Sequence, residues 1–201
     1  MAEIAMRQLK LAIRNIFHRR FLRPLWPIAT HGFLYRLSKE IPPPVRYLEV
    51  GVREGDSMNA ILQNPNVTAV GVDSWGAEAG GTARGSADHV KKYLGPEKSS
   101  RVTLHSGDSH VLLKRFKLPE FNLIYVDGDH SEAGAIEDMD DCLKLLAPGG
   151  TMLVDDIDHP AHSYLRATVL AWAARNNMAI KTHDVGQGVA EMRRKDAETR
   201  A

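Results

Sequence analysis

Cysteine is almost missing from this chain. Cys142 is the only one among 201 residues, so no internal disulfide is available to brace a small core, and a reducing compartment is implied. Because it lies in a helix-like stretch, it reads as a buried core thiol rather than a nucleophile. Charge of either sign is also not in excess. Lys and Arg number 26 against 25 Asp and Glu, a formal net charge of +1, which gives no overall nucleic-acid signature. No apolar run approaches the roughly 18 residues of a membrane span, and the N-terminus lacks the uninterrupted apolar core of a signal peptide. The expectation is a cytoplasmic protein. Internal repeats are missing, and low complexity is confined to a triple proline and one glycine-rich stretch. With 43% hydrophobic residues the chain suits one globular domain, able to bury roughly 70% of its unfolded surface.

What is present is organised around residues 121 to 157. An apolar run, Leu123 to Val126, ends in Asp127-Gly128-Asp129-His130, and a second, Thr151 to Val154, ends in Asp155-Asp156. Such continuous runs suit strands buried on both faces of a parallel sheet. Between them Ile136, Met139, Leu143 and Leu146 recur at helical spacing, which makes a βαβ unit. Ligands of open α/β sheets bind outside the carboxyl ends of the strands, and Asp127, Asp155 and Asp156 fall at such ends. Two like charges about 4 Å apart repel by roughly 4 kcal/mol at an effective dielectric near 20. Three converging carboxylates must therefore share protons or bind a metal, and a set of hard oxygens suits magnesium. The plain alternative is that Asp127 caps a loop while Asp155 and Asp156 end a strand in solvent.

Taken in order, residues 4 to 20 form an expected basic amphipathic helix, with Met6, Leu9, Ile13, Ile16 and Phe17 on one side and Arg7, Lys10, Arg14 and His18 beside them. It suits packing or homo-oligomer contact first and a membrane surface second. A short helix from His31 to Glu40 leads to Pro42-Pro43-Pro44, so residues 1–44 are read as an extension and 45–193 as the main domain, with 194–201 as a frayed tail. Strands are expected at Arg46–Val50, Val67–Val72 and Arg101–His105, then at the two runs above, and finally at Ala179–His183 and Val189–Met192. The connecting helices are expected to Leu62, to about Leu94, to Phe116 and from about Ala161 to Arg175. Gly76 to Gly85 reads as a surface loop or a lid.

The exit of the first strand, Glu49-x-Gly51-x-x-x-Gly55-x-Ser57, is a glycine turn opening a helix, where free N–H groups favour a negatively charged ligand group. Asp73 ends the next strand about 20 residues on, the position of a carboxylate that binds ribose hydroxyls. A nucleoside cofactor is implied. Arg53 and Asp56 replace the second and third glycines of a dinucleotide fingerprint, which argues against a pyrophosphate. A sulfonium cofactor fits better: Glu49 and Asp127 attract its positive charges, while Ser57 and the loop N–H groups hold its carboxylate.

These motifs, with Gly107-Asp108-Ser109, Val126-Asp127-Gly128-Asp129-His130 and Leu146-Ala147-Pro148-Gly149-Gly150, resemble those of class I S-adenosylmethionine-dependent methyltransferases. Asp127 with Asp155-Asp156 more narrowly resembles the magnesium-dependent O-methyltransferases of the catechol and macrocin type. The resemblance implies a Rossmann-like α/β fold, a seven-stranded, mostly parallel sheet of order 3-2-1-4-5-7-6 with helices on both faces, matching the seven runs counted. It implies cofactor contacts from Glu49, Gly51, Gly55 and Ser57 around the methionyl part, Asp73 and Ser74 at the ribose, Asp108 and Ser109 by the adenine, and Asp127. It also implies Mg2+, or another divalent cation, on Asp127, Asp155 and Asp156. Catechol-type enzymes place Asn at the third ligand and Lys three residues after the first. Here Asp156 and His130 stand there, closer to the macrolide-sugar branch. His130, with an unperturbed pKa near 6.5, becomes the preferred general base and Asp129 the alternative; the bland reading of His130 is a loop histidine bonded to a backbone carbonyl. His159 and His162 are read as surface residues or pocket lining, and Trp75 as an adenine contact or a core shield.

The implied reaction is O-methylation of a sugar, phenol or other small-molecule diol, with no nucleic-acid partner. The rivals are an NAD-type oxidoreductase and a catalytically degenerate cofactor-binding or membrane-surface protein. Isothermal titration separates the enzyme readings: S-adenosylmethionine is expected to bind and NAD not, and tight NAD binding alone would reverse the choice.

Overall fold

A computed structural model describes residues 29–76, 85–116 and 121–195. Residues 4 to 20, where the basic helix is expected, most of the Gly76–Gly85 stretch and residues 196–201 lie outside them.

Seven strands form one sheet: β1 (Val45–Val50), β2 (Val67–Asp73), β3 (Val102–Ser106), β4 (Phe121–Val126), β5 (Leu146–Val154), β6 (Met178–His183) and β7 (Val189–Arg194). Their order is β3-β2-β1-β4-β5-β7-β6, as expected. β1 pairs in parallel with β2 and β4, β2 with β3 and β4 with β5, whereas β7 runs antiparallel to both β5 and β6. The central strand β4 is buried at Phe121 and from Leu123 to Val126, which is why its sequence is apolar without alternation.

Helices cover both faces. On one lie α1 (Ala29–Glu40), α2 (Asp56–Ile61) and α3 (Ala87–Ser99), which bury Leu34, Leu37, Met58, Ile61, Val90 and Leu94 against Tyr47, Leu123, Tyr125 and Leu153. On the other lie α4 (Ser109–Leu112), α5 (Glu132–Leu145) and α6 (Leu165–Arg175), which pack Met139, Cys142, Leu165, Val169 and Trp172 against Leu48, Val50, Ile124, Val126, Met152 and Val154. The packed body thus starts at α1, ahead of the proline spacer. Asn64 reinforces that docking by donating to the Ser38 carbonyl at 3.0 Å.

Several elements differ from expectation. Leu146 belongs to β5 and pairs with Phe121, so the helix ends at Leu145 and its buried face is Ala135, Asp138, Met139, Asp141, Cys142 and Leu145. Two aspartates share that face with Met139, while Ile136 and Leu143 of the expected stripe pack against the same core from partly buried positions. The expected helix to Phe116 is the short α4 followed by a 3-10 turn, Leu113–Arg115. Before α6, a separate 3-10 turn at Pro160–His162 is capped by His159, whose ring accepts from the Ala161 N–H. Regular helix geometry in α3 breaks at Gly95, close to the expected end at Leu94. β7 continues through Arg194 rather than fraying from Arg193. Cys142 is fully buried, and burial pushes its thiol pKa well up, so the reading of an inert core thiol holds.

Trp172 is 1% exposed, and its indole N–H donates to Asp140 at 2.7 Å. Trp172→Ala should cost about 3–5 kcal/mol of stability, read from urea unfolding midpoints.

Candidate active site

Backbone bonds carry the sheet past its strands. Gly107 N–H donates to the Asp73 carbonyl at 2.9 Å, Gly51 to Val72 at 2.9 Å, Asp127 to Val50 at 2.8 Å and Asp155 to Val126 at 3.0 Å. The residues that follow β3, β2, β1, β4 and β5 therefore stand in a row along one edge. Gly51 is required in that row. Its φ is +88°, and a Cβ there would collide with the Asp127 carbonyl, so only glycine lets the first loop touch the fourth.

At the far end of the row, Asp127, His130 and Asp156 each place a ligand atom within 4.8 Å of the others. His130 Nε2 lies 3.5 Å from Asp127 Oδ1 and 3.7 Å from Asp156 Oδ2. Burial opposes charge on His130, but the hydrogen bond and charge of Asp127, with those of Asp156 and Asp155, outweigh it and push its pKa up to about 9. The ring is thus more basic than the 6.5 of a free histidine. Asp127 is raised by burial against the lowering effect of His130. Asp156 adopts φ +56°, a left-handed conformation costly for a residue with a Cβ, of the kind that collects at functional sites.

Asp155 is not in that group of three. Its carboxylate accepts from the Tyr125 hydroxyl, and its other oxygen, Oδ1, is buried without a hydrogen-bond partner. Burial and the neighbouring Asp127 and Asp156 push its pKa well up. Asp129 turns to the start of α5, where it accepts from the Ser131 N–H at 2.7 Å and packs against Gly134. His162 stacks on His130 with ring centroids 5.0 Å apart, His159 lies 5.1 Å from His162, and the Tyr164 hydroxyl donates to the His130 carbonyl at 2.9 Å. His159 and His162 are part-buried rather than freely exposed, and His162 lies against His130.

Glu49 is fully buried beneath the first loop and accepts from Ser57 Oγ and, at 2.9 Å, from the Tyr47 hydroxyl. Burial raises its pKa to about 8 although both donors pull it down. Ser57 is thereby committed to Glu49. Gly55, at φ +86°, caps α2. Asp73 is part-exposed at its strand tip and accepts from the N–H groups of Arg53 at 2.6 Å and Trp75 at 2.5 Å. Trp75 packs against the core cluster and donates to the Arg53 carbonyl at 2.9 Å, so it shields the core. Gly85, where the glycine-rich stretch returns, abuts that same carbonyl. Ser74 is exposed; its hydroxyl accepts from Gly76 N–H at 3.4 Å. Asp108 is exposed and caps α4 by accepting from the His110 N–H, while the Ser109 hydroxyl donates to Asp138.

Sequence reasoning missed Tyr47, Tyr125, Tyr164 and Asp138. The first two read as strand formers; Tyr47 stands two residues before Glu49 on the same face of β1, a signal the strand period held, whereas only register with β5 sets Tyr125 beside Asp155. For Asp138 a signal existed: an acid among the apolar positions of α5.

The geometry defines a doubly wound α/β protein whose strand tips carry a glycine turn, a part-exposed carboxylate at Asp73 and a cluster of Asp127, His130 and Asp156. A family model for a methyltransferase domain matches residues 48–157, more than half of the chain, and the protein belongs to that family. No curated protein matches. Among solved structures, the SAH-bound methyltransferase PaMTH1 of Podospora anserina is 22% identical, with 90% of this chain and 88% of that one covered and a TM-score of 0.62. An O-methyltransferase from Bacillus cereus in complex with SAH is 18% identical over 94% and 91%, with a TM-score of 0.63. At these identities the likeness concerns the fold.

Glu49 supplies a pH test. Between about 4.3, the carboxyl's value in an unfolded chain, and about 8, the folded protein keeps a proton that the unfolded chain has lost. Stability therefore falls as pH rises through that window and levels above it. The stability advantage of Glu49→Gln over the parent should grow from about pH 5 to about pH 8 and then hold constant, read from urea midpoints at each pH.

Proposed function

We propose that the protein is an S-adenosylmethionine-dependent O-methyltransferase acting on a small molecule with two neighbouring oxygens, assisted by magnesium or another divalent cation. The observation that carries this reading is the convergence of Asp127, His130 and Asp156 at the tips of β4 and β5, with the Gly51 turn in contact with Asp127. Membership of a methyltransferase family and the SAH bound in two proteins of the same fold support the methyl donor.

The residues fit both groups. Asp73, fixed by two backbone N–H groups yet part-exposed, suits a pair of ribose hydroxyls, with Ser74 beside it. Asp127 suits the positive end of the donor, next to Gly51 and Gly55; Glu49 beneath the loop keeps its proton to about pH 8, and a bound positive charge would favour its ionised form, while Asp108 and Ser109 suit the adenine end. Two carboxylates and an imidazole suit a divalent cation, and manganese or its neighbours meet this nitrogen-and-oxygen set as well as magnesium does. Asp155 Oδ1 is buried beside the group without a partner, and a bound cation would favour the ionised form of an acid that its surroundings otherwise keep protonated.

A bound cation supplies Lewis acidity, which lowers the pKa of an acceptor hydroxyl. Asp127 and Asp156 would hold it. His130 presents Nε2 to both carboxylates; with a pKa of about 9 its ring carries a proton at neutral pH, so it would take the acceptor's proton or complete the cation's ligands only once a bound cation offsets the two carboxylates and releases that proton. Asp129 is the poorer base, because its carboxylate serves the first turn of α5. His162, His159 and Tyr164 orient the His130 loop and wall the acceptor side. Most of the acceleration then comes from holding the acceptor in line, where effective molarities of about 10⁵ to 10⁸ M are attainable. A small-molecule hydroxyl acceptor rather than nucleic acid, and a cytoplasmic site of action, belong to the same proposal. No helix among the described residues is long and apolar enough to cross a membrane.

Methyl transfer to a panel of catechols and vicinal sugar diols should yield a singly methylated product with Mg2+ or Mn2+ and almost none in EDTA. Asp127→Ala and Asp156→Ala should each lose about 100-fold or more in rate. Undiminished turnover in EDTA would remove the cation from the mechanism, and failure to bind S-adenosylmethionine by calorimetry would remove the donor.

A further inference from the structure

Asp138 lies on the buried face of α5 between Ala135, Met139 and Cys142, and is 0% exposed. A carboxylate in such surroundings is costly unless its oxygens are bonded, and an apolar side chain would pack there without that cost. Its two oxygens point to different loops. Oδ1 accepts from the Ser109 hydroxyl at 2.8 Å and lies 3.5 Å from His110 Nδ1, both on the segment after β3. Oδ2 accepts from the Asp129 N–H at 3.4 Å and sits 2.8 Å from where a Cβ on Gly128 would stand, both on the segment after β4. The glycine is what lets the acid come so close.

We propose that Asp138 is a positioning residue that ties the Asp108–His110 loop to the Asp127–His130 loop, so that a ligand bordered by Ser109 fixes the position of the acidic pocket. The coupling rests on the reading that Ser109 borders the adenine end of the methyl donor. The tie itself rests only on the contacts above. Strengthening of one loop's grip on Asp138 reaches the other through a single carboxylate whose oxygens cannot move independently.

Hydrogen exchange on the full chain, read by mass spectrometry with and without S-adenosylhomocysteine, tests it. Ser109→Ala, a mild change that leaves the Asp129 contact in place, should speed exchange at amides 128–131 severalfold, although its hydroxyl reaches Asp138 and not that loop. In the parent, the ligand should slow exchange in both loops. In Asp138→Asn the ligand should bind about tenfold more weakly, the loss of one hydrogen bond to a charged group. It should then slow only the loop after β3, while the amides of the central strand β4 stay protected, which marks the variant as folded. Unchanged exchange at 128–131 in Ser109→Ala, or full ligand-dependent slowing of both loops in Asp138→Asn, would reduce Asp138 to a helix-face filler. If the parent does not bind S-adenosylhomocysteine, the functional reading fails, and the Ser109→Ala result alone decides the tie.

Discussion

The structure depends on a crowd of acids at one edge of a parallel sheet. Because β1, β2, β4 and β5 all run the same way, whatever ends each strand is brought to one side, and here that includes Asp73, Asp127, Asp155 and Asp156, with Glu49 just inside. Left bare, these groups would repel one another through a low-dielectric wall. The fold answers with donors: Ser57 and Tyr47 on Glu49, Tyr125 on one oxygen of Asp155 while the other has none, the Arg53 and Trp75 N–H groups on Asp73, and the His130 ring 3.5 Å from Asp127 and 3.7 Å from Asp156. Buried polar groups satisfied in this way contribute little net stability, and the reason to keep them is what they hold in place.

Position is held by backbone more than by side chains. Lateral N–H to carbonyl bonds run from loop to loop along the edge, and the closest approach, Gly51 against Asp127, exists only because one residue has no Cβ. At the opposite end Asp156 adopts a left-handed backbone just before the segment that carries His159 and His162. There His162 lies flat on His130 and Tyr164 grips the carbonyl of the same residue. The acidic pocket is thus flanked by a rigid glycine contact on one side and a ring stack on the other.

Much of this architecture was legible in the chain. β4 and β5 declare themselves because strands buried on both faces carry unbroken apolar runs, and the strand ends declare themselves because acids and glycines interrupt those runs. The burial of two acids on the inner face of α5, Asp138 and Asp141, was not legible, since hydrophobic periodicity cannot distinguish an inward acid from an outward one. The membership of the acidic group was equally hidden. Asp155 and Asp156 are adjacent, so their side chains leave the chain in different directions, and only Tyr125 opposite decides that Asp155 turns away from the group that Asp156 joins.

The amino-acid sequence by itself determined the alternation of strands and helices, the edge at which ligands meet the sheet, and the residue types available there, because those follow from local apolar patterning and from where it stops. Tertiary structure alone decided which hydroxyl faces which carboxylate, that His130 bridges two acids and is made more basic by them, and that one buried aspartate joins two loops. These depend on register between strands and on distances of a few ångströms between residues far apart in the chain, which no local pattern encodes.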